Sequence, residues 1–170
     1  LDTSLQRIRR FLDSYSVETP TGIQRLSANT VFMYLSGNGT FLPRYLVDPW
    51  VRTIVRVEAG AVVGFAMVGL TASRRQSGVL VADLLAIAVT AAYQGRGLGT
   101  ALMERALALA SALAGHYGVD EVELSVADTN PGALRFFARH GFVVADADEG
   151  RYPSGQVAIR MSRPLRPTAS

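Results

Sequence analysis

Residues 79–102 of this chain, "VLVADLLAIAVTAAYQGRGLGTAL", run an apolar stretch directly into three alternating glycines and then into a helical pattern. A strand that is apolar on both faces must be covered on both, so residues 79–90 belong at the centre of a sheet and not at its edge. The stripe Leu98, Leu102, Leu109 and Leu113 predicts a helix over 98–114 that closes near Gly115. "VDEVELSV" follows as a strand. Asn130 as N-cap, Pro131 at the first helical position, the apolar set Leu134, Phe136 and Phe137, and Gly141 just past the end predict a second helix.

Ahead of this stretch, "VRTIVRVEAGAVVGFAMVGL" reads as a hairpin that turns at Glu58 to Ala61; "FVVAD" and "GQVAIRMS" supply the last strands. Two strand-to-helix units after an antiparallel hairpin predict a single α/β domain with a mixed sheet. At the start, Leu5, Ile8, Phe11, Leu12 and Tyr15 predict an amphipathic helix. Residues 17–50 are broken by Pro20, Gly22, Gly37, Gly39, Pro43 and Pro49, and read as loops plus a short helix near Ser27 to Ser36.

Composition narrows the chemistry. Seventeen basic against fourteen acidic residues give a formal charge of +3, which suits an anionic small ligand but lacks the clustering that nucleic acid requires. The chain has no cysteine and only His116 and His140 as imidazoles, which excludes disulfides, thiolate metal sites and a cysteine nucleophile and predicts no metal. The apolar stretch at 79–93 is interrupted by Asp83 and is too short to span a bilayer, and no leader pattern opens the chain. The expectation is a soluble, cytoplasmic protein with no nucleic-acid or membrane partner; a homodimer is left open.

A glycine-rich turn between a strand and a helix presents backbone N–H groups at the positive end of the helix dipole, a setting that favours an anion such as a phosphate. "QGRGLGT" lacks the lysine of a P-loop, and from Gly95 a dinucleotide fingerprint would need glycine where Thr100 stands. Asp120 and Glu121 do lie roughly where a ribose-binding acid would, which keeps a dinucleotide domain as a rival reading.

The letters resemble the GNAT superfamily of acyl-CoA-dependent acyltransferases, whose signature places Q or R, two residues, G, one residue, and G or A directly after a strand. Gln94, Gly97 and Gly99 occupy those positions. "LLAIAVTAAYQGRGLGTALMERAL" is similar to the family's fourth strand, pyrophosphate loop and third helix, and "VELSVADTNPGALRFFARHGF" to its fifth strand and fourth helix. The likeness covers residues 53–163. It implies a mixed, mostly antiparallel sheet flanked by helices, with the family's fourth and fifth strands parallel, in one domain whose residues 1–50 vary and whose residues 51–165 form the acyl-CoA-binding core.

The resemblance further implies that Ile87, Ala88 and Val89 run beside the pantetheine arm of acetyl-CoA. Gln94 is a cofactor-binding residue of the same motif, and the amides of Gly95, Arg96, Gly97, Leu98, Gly99 and Thr100 would hold the pyrophosphate. Asn130 matches a cofactor-contacting position, although helix capping already explains it, and Phe137 is a further cofactor-binding candidate. For catalysis, the resemblance puts an oxyanion-stabilising N–H at Val89 and a base or water-orienting acid at Asp83.

The closing "GRYPSGQVAIRMSRPL" is similar to ribosomal-protein alanine and other N-terminal acetyltransferases, where a tyrosine like Tyr152 lines the peptide site. That branch carries a glutamate base where this chain has Ser125 and a tyrosine acid where it has Phe137. The implied activity is acetyl transfer to a primary amine: a peptide N-terminus, a lysine or a small amine. The rival is a catalytically silent acyl-CoA sensor. With a weakened acid–base set, amines of low pKa are the easier acceptors: an α-amine near 8 is on the order of a fifth neutral at physiological pH, a lysine near 10.4 roughly a thousandth. Arg74 and Arg75 read as solvated loop charges, and His140 as a helix-end residue.

Overall fold

The computed structural model describes residues 16–19, 22–25, 51–59, 61–73 and 75–165. Two short strands, β1 (Ser16–Thr19) and β2 (Gly22–Arg25), pair antiparallel where loops are expected from the sequence. Four residues each is too short for alternation to stand out, so Pro20 and Gly22 read as breakers of structure when they border it. The predicted helices over Leu5 to Tyr15 and near Ser27 to Ser36 lie outside the described residues, as does Trp50.

The main sheet has six strands: β3 (Val51–Glu58), β4 (Ala61–Ala72), β5 (Leu80–Val89), β6 (Glu121–Ala127), β7 (Val143–Arg151) and β8 (Val157–Pro164). Their spatial order is β3-β4-β5-β6-β8-β7. The hairpin turns between Glu58 and Ala61 as expected, and β5 is central, antiparallel to β4 and parallel to β6. The remaining pairs are antiparallel, and β8 inserts between β6 and β7.

Helix α1 (Leu98–Tyr117) follows β5 and helix α2 (Pro131–Arg139) follows β6. α1 runs past Gly115 and stops at Gly118, the residue that takes the left-handed conformation (φ 68°). The amides of Gly118 and Val119 both return to the Ala114 carbonyl, and Val119 is buried beside this C-cap. Gly115 has no such hydrophobic successor, so the helix passes through it.

One face of the sheet packs against α1. Its contributors include Ala66 and Val68 of β4, Ala82, Leu84 and Val89 of β5, and Val122, Leu124 and Val126 of β6. The fully buried ridge of α1 is Leu102, Met103, Ala106, Ala110 and Ala114, whereas Leu98, Leu109 and Leu113 of the predicted stripe are only half-buried. Small side chains at i, i+4 spacing let the helix axis approach the strands closely. Gly64 completes the fit: a Cβ there would lie 2.9 Å from the Ala88 carbonyl oxygen and 3.0 Å from Leu102 Cδ1.

The opposite face carries Phe65 and Met67 of β4, both fully buried, and a set of charged residues. Register fixes this sidedness. Gly69 pairs with Asp83 and Met67 with Ala86, so the odd residues of β4 share a face with Asp83. Between those pairs Leu85 has no partner, and β5 carries a β-bulge.

Candidate functional site

The bulge bends β5, and its consequence is seen at the next strand. β5 and β6 pair only at Ala82↔Val122 and Asp83↔Glu123. Beyond that point β6 keeps its ladder with β8 through Ala127, while β5 continues alone on that edge to Val89. A wedge opens inside the sheet, with Asp83 and Glu123 at its apex and the glycine turn beyond its mouth.

The walls of the wedge are backbone. Thr90 donates its N–H to Val63 O of β4 at 2.9 Å, so strand alternation directs the N–H and C=O of Val89, and likewise of Ile87, to the opposite edge, toward the wedge. The Val89 carbonyl accepts a 2.9 Å hydrogen bond from the Gln94 side-chain amide. Gln94 thus pins the end of β5, a structural task beside its predicted cofactor contact. Ala88 faces away from α1 with Phe65, and the Val89 side chain is in the helix-side core.

At the mouth, Gly95 (φ 72°) and Gly97 (φ 78°) adopt left-handed angles that an L side chain rarely takes. Gly97 is the N-cap of α1 and supplies no side-chain cap, so the amides of Leu98, Gly99 and Thr100 have no intrahelical acceptor. Gly99 faces α2, where a Cβ would sit 3.5 Å from the Phe136 ring. Arg96 is exposed and held with its guanidinium carbon 5.1 Å over the Tyr93 ring. The turn offers backbone donors, a helix dipole and one arginine to an anion.

At the apex lies an ionic cluster. Arg160 of β8 is 3% exposed and Glu123 of β6 only 1%. Arg160 donates from Nε to Glu149 Oε1 at 2.8 Å and pairs with the same carboxylate through Nη2. Its Nη1 lies 3.3 Å from Glu123 Oε2 and 4.0 Å from Asp83 Oδ2. Ser125 Oγ donates to Glu149 Oε2 at 2.8 Å. Arg75 reaches in from the 73–79 loop, with Nη2 3.2 Å from Glu121 Oε2 and Nε 3.6 Å from Glu123 Oε1. It is therefore a paired residue and not a freely solvated charge.

Burial pushes the Glu123 carboxyl above the usual carboxylate range; Arg160 opposes this, and Glu121 and Glu149 add to it while Arg75 subtracts. Arg160 is held charged by its hydrogen bond to Glu149 and by the Asp83 and Glu123 charges, which outweigh its own desolvation.

Among the predicted residues, Asp83 stands at the apex and Ile87, Ala88, Val89 and Gln94–Thr100 form one wall and the mouth. Tyr152 is buried just past the end of β7, where its backbone closes a turn with Gly155 and Gln156. Asn130 is the N-cap of α2, its Oδ1 accepting from Ala133 N at 3.0 Å. Phe137 is in the helix-side core, 6.0 Å from the Phe142 ring. His140 caps the C-terminus of α2, its Nδ1 2.8 Å from Phe136 O.

Sequence reading passed over Glu123, Glu149 and Arg160. The available signal was a charged residue at an inward position of an otherwise apolar strand, as in "VELSV" and "VAIRMS". That reasoning singled out Asp83 and applies equally to Glu123 and Arg160, whereas Glu149 lies in the polar strand β7 and carries no such mark. It also noted a lost carboxylate at Ser125; the structure puts the Glu149 carboxylate in hydrogen-bond contact with that serine.

The chain matches none of the curated proteins by sequence. Among solved structures it resembles the ribosomal-protein-S18-alanine N-acetyltransferase of Escherichia coli (18% identity, 99% of this chain and 93% of that one, TM-score 0.66). It also resembles a nourseothricin acetyltransferase (30% identity, 70% and 68%, TM-score 0.54). A third likeness is to the PaiA N-acetyltransferase of Thermoplasma acidophilum in complex with coenzyme A (19% identity, 72% and 66%, TM-score 0.55). Residues 16–142 match the acetyltransferase (GNAT) family, and with the wedge and glycine turn in place the chain belongs to that family, whose members carry out acyl-CoA-dependent acetyl transfer.

Proposed function

We infer that the protein is an N-acetyltransferase that moves an acetyl group from acetyl-CoA to a primary amine by direct attack in a ternary complex. The observation that carries this is the wedge: two parallel strands that part after a single step of pairing, with anion-binding amides at the open end and a carboxylate at the closed one. An elongated cofactor with a phosphate at one end and a thioester at the other suits that arrangement. The amides of residues 95–100 would take the pyrophosphate and the inner edge of Ile87–Val89 the pantetheine arm. Coenzyme A is what the Thermoplasma neighbour holds.

In this reading the amine enters near the apex, where Asp83 is the most open of the three carboxylates on Arg160, its side chain 18% exposed. Asp83, directly or through water, takes a proton from the amine. The nitrogen lone pair then attacks the thioester carbon, a backbone N–H at the Val89 end of β5 stabilises the oxyanion, and the C–S bond breaks as the thiolate gains a proton. Phe137, an apolar core residue, supplies no acid. Tyr152, buried just past the end of β7, is the residue that would line the acceptor site, its phenol orienting the amine or its water.

The test is thiol release from acetyl-CoA against peptides with free Ala, Ser or Met termini, lysine peptides with blocked termini, and small amines. Acceptor-dependent release is expected and defines the acceptor pool. Binding of acetyl-CoA with no release from any pool would instead identify a sensor domain.

A further inference from the structure

The far wall of the wedge ends at a junction of three strands. Ala127, the last residue of β6, pairs with Ala158 of β8, and β8 is joined to β7 by the turn over residues 152–156 that begins with Tyr152. β6 leaves the sheet here to enter α2, and a strand that departs takes with it the groups its neighbour would bond. Side chains take over the pairing. The Asp128 N–H still donates to Val157 O at 2.9 Å, but the return bond of a ladder pair goes to the Asp128 side chain, whose Oδ1 accepts from the Val157 N–H at 3.0 Å. Next to it, Gln156 Nε2 donates to Thr129 Oγ1 at 2.7 Å, and the Gln156 carboxamide oxygen accepts from Ser154 Oγ at 2.9 Å. Within the turn, the Gly155 N–H meets Tyr152 O at 2.8 Å and the Tyr152 N–H meets Gln156 O at 2.9 Å. Those two bonds shape the turn; the bonds to Asp128 and Thr129 fix where it stands beside the wedge.

We propose that Gln156 and Thr129 are positioning residues of the acceptor site: their bond holds the turn that carries Tyr152 against the end of β6, so that the acceptor meets a wall already formed and not one that closes over it. The inference rests on the acetyl-transfer reading and on Tyr152 as the residue lining the acceptor site. It adds to them two residues that lie outside both the glycine turn and the ionic cluster. Both act through Tyr152, whose backbone amide is bonded to the carbonyl of Gln156 itself. Their loss is felt as a weaker grip on the amine, with the cofactor held as before.

Gln156 suits this task because both ends of its carboxamide are engaged, one by Thr129 and one by Ser154, which orders a side chain that is otherwise costly to fix. Thr129 immediately precedes Asn130, the N-cap of α2. The three-residue connection from Asp128 to Asn130 therefore starts a helix on one side and braces the acceptor wall on the other. A ladder between β6 and the turn would do the same bracing, but β6 has to leave the sheet for α2, and side chains are what can span the junction once it has.

The experiment is a double-mutant cycle on Q156L and T129V, which remove the bond with little change of volume, read as thiol release from acetyl-CoA with alanine amide and with N-α-acetyl-lysine amide. Each single variant is expected to raise the KM of the acceptor that reacts by roughly three- to tenfold, the range a neutral hydrogen bond supplies, while kcat and the KM for acetyl-CoA stay at wild-type values. The double variant should lie within about twofold of the weaker single one, because one shared bond is lost once. Q156E should behave as the wild type, since the hydroxyls of Thr129 and Ser154 can both donate to its carboxylate. Effects that multiply in the double variant, a matching rise in the KM for acetyl-CoA, or a Q156E indistinguishable from Q156L overturns the proposal while acetyl transfer stands. A second arm needs no turnover. Q156L and T129V should speed amide hydrogen exchange at Tyr152 and Gly155 while the amides of Met103 to Ala110 in α1 keep wild-type protection, which also shows that the variants are folded. Unchanged exchange at Tyr152 and Gly155 overturns the brace. Absence of release with every amine overturns the acetyl-transfer reading, and the exchange arm then still decides whether the bond holds the turn.

Discussion

The two faces of the central sheet are built from the same six strands by opposite means. Toward α1 the sheet presents Ala66, Val68, Ala82, Leu84, Val122 and Leu124, and the fit depends on small residues and on Gly64. Away from it, the register positions next door hold the buried Glu123, Arg160 and Ser162 and the half-buried Asp83 and Ser125. An apolar face gains stability from each group it removes from water, whereas a buried ionic face roughly breaks even at best and is retained for chemistry or specificity. Where the fold could have continued its core at no electrostatic cost it placed charges instead, and it placed them where β5 and β6 part.

Disrupting each face should therefore look different. Arg160→Leu leaves three carboxylates without their guanidinium and is expected to cost about 3–5 kcal/mol at neutral pH, with the loss shrinking toward pH 4 as those carboxylates protonate. Urea unfolding at several pH values checks this, and a cost that stays flat with pH would contradict it. Met103→Ala, at a fully buried site of α1, is expected to cost about 3 kcal/mol with no comparable pH dependence.

A smaller effect sharpens the comparison. The Glu123 carboxyl is raised by burial, so the folded state binds its proton more tightly than the unfolded chain does. The stability it contributes is thus full below its unfolded value, near 4.3, and declines as pH rises toward the folded value. E123Q should gain on the wild type across that interval; if the wild type gains instead, the Arg160 ion pair outweighs desolvation. Least of all, Asn130→Ala should cost about 1 kcal/mol in thermal unfolding, the ordinary value of a lost N-cap.

The apolar face was largely legible in the sequence because it obeys period rules: the hairpin at Glu58 to Ala61, the central strand, the glycine turn and the Asn130–Pro131 helix start all carry local signals. The ridge of α1 was misassigned to leucines, since periodicity cannot tell which of two adjacent stripes is pulled closest to a sheet. The polar face was legible only at Asp83. Arg160, Glu123 and Glu149 come together through the insertion of β8 between β6 and β7, and the wedge through a bulge at Leu85, neither of which leaves a mark within any single strand.

Amide hydrogen exchange with and without acetyl-CoA tests most directly whether the wedge is the reaction centre. Slowed exchange confined to Ile87–Val89, Gly95–Thr100 and the neighbouring turns is the predicted result. Protection that falls instead on β3 or β7, leaving β5 and the glycine turn unchanged, would contradict it.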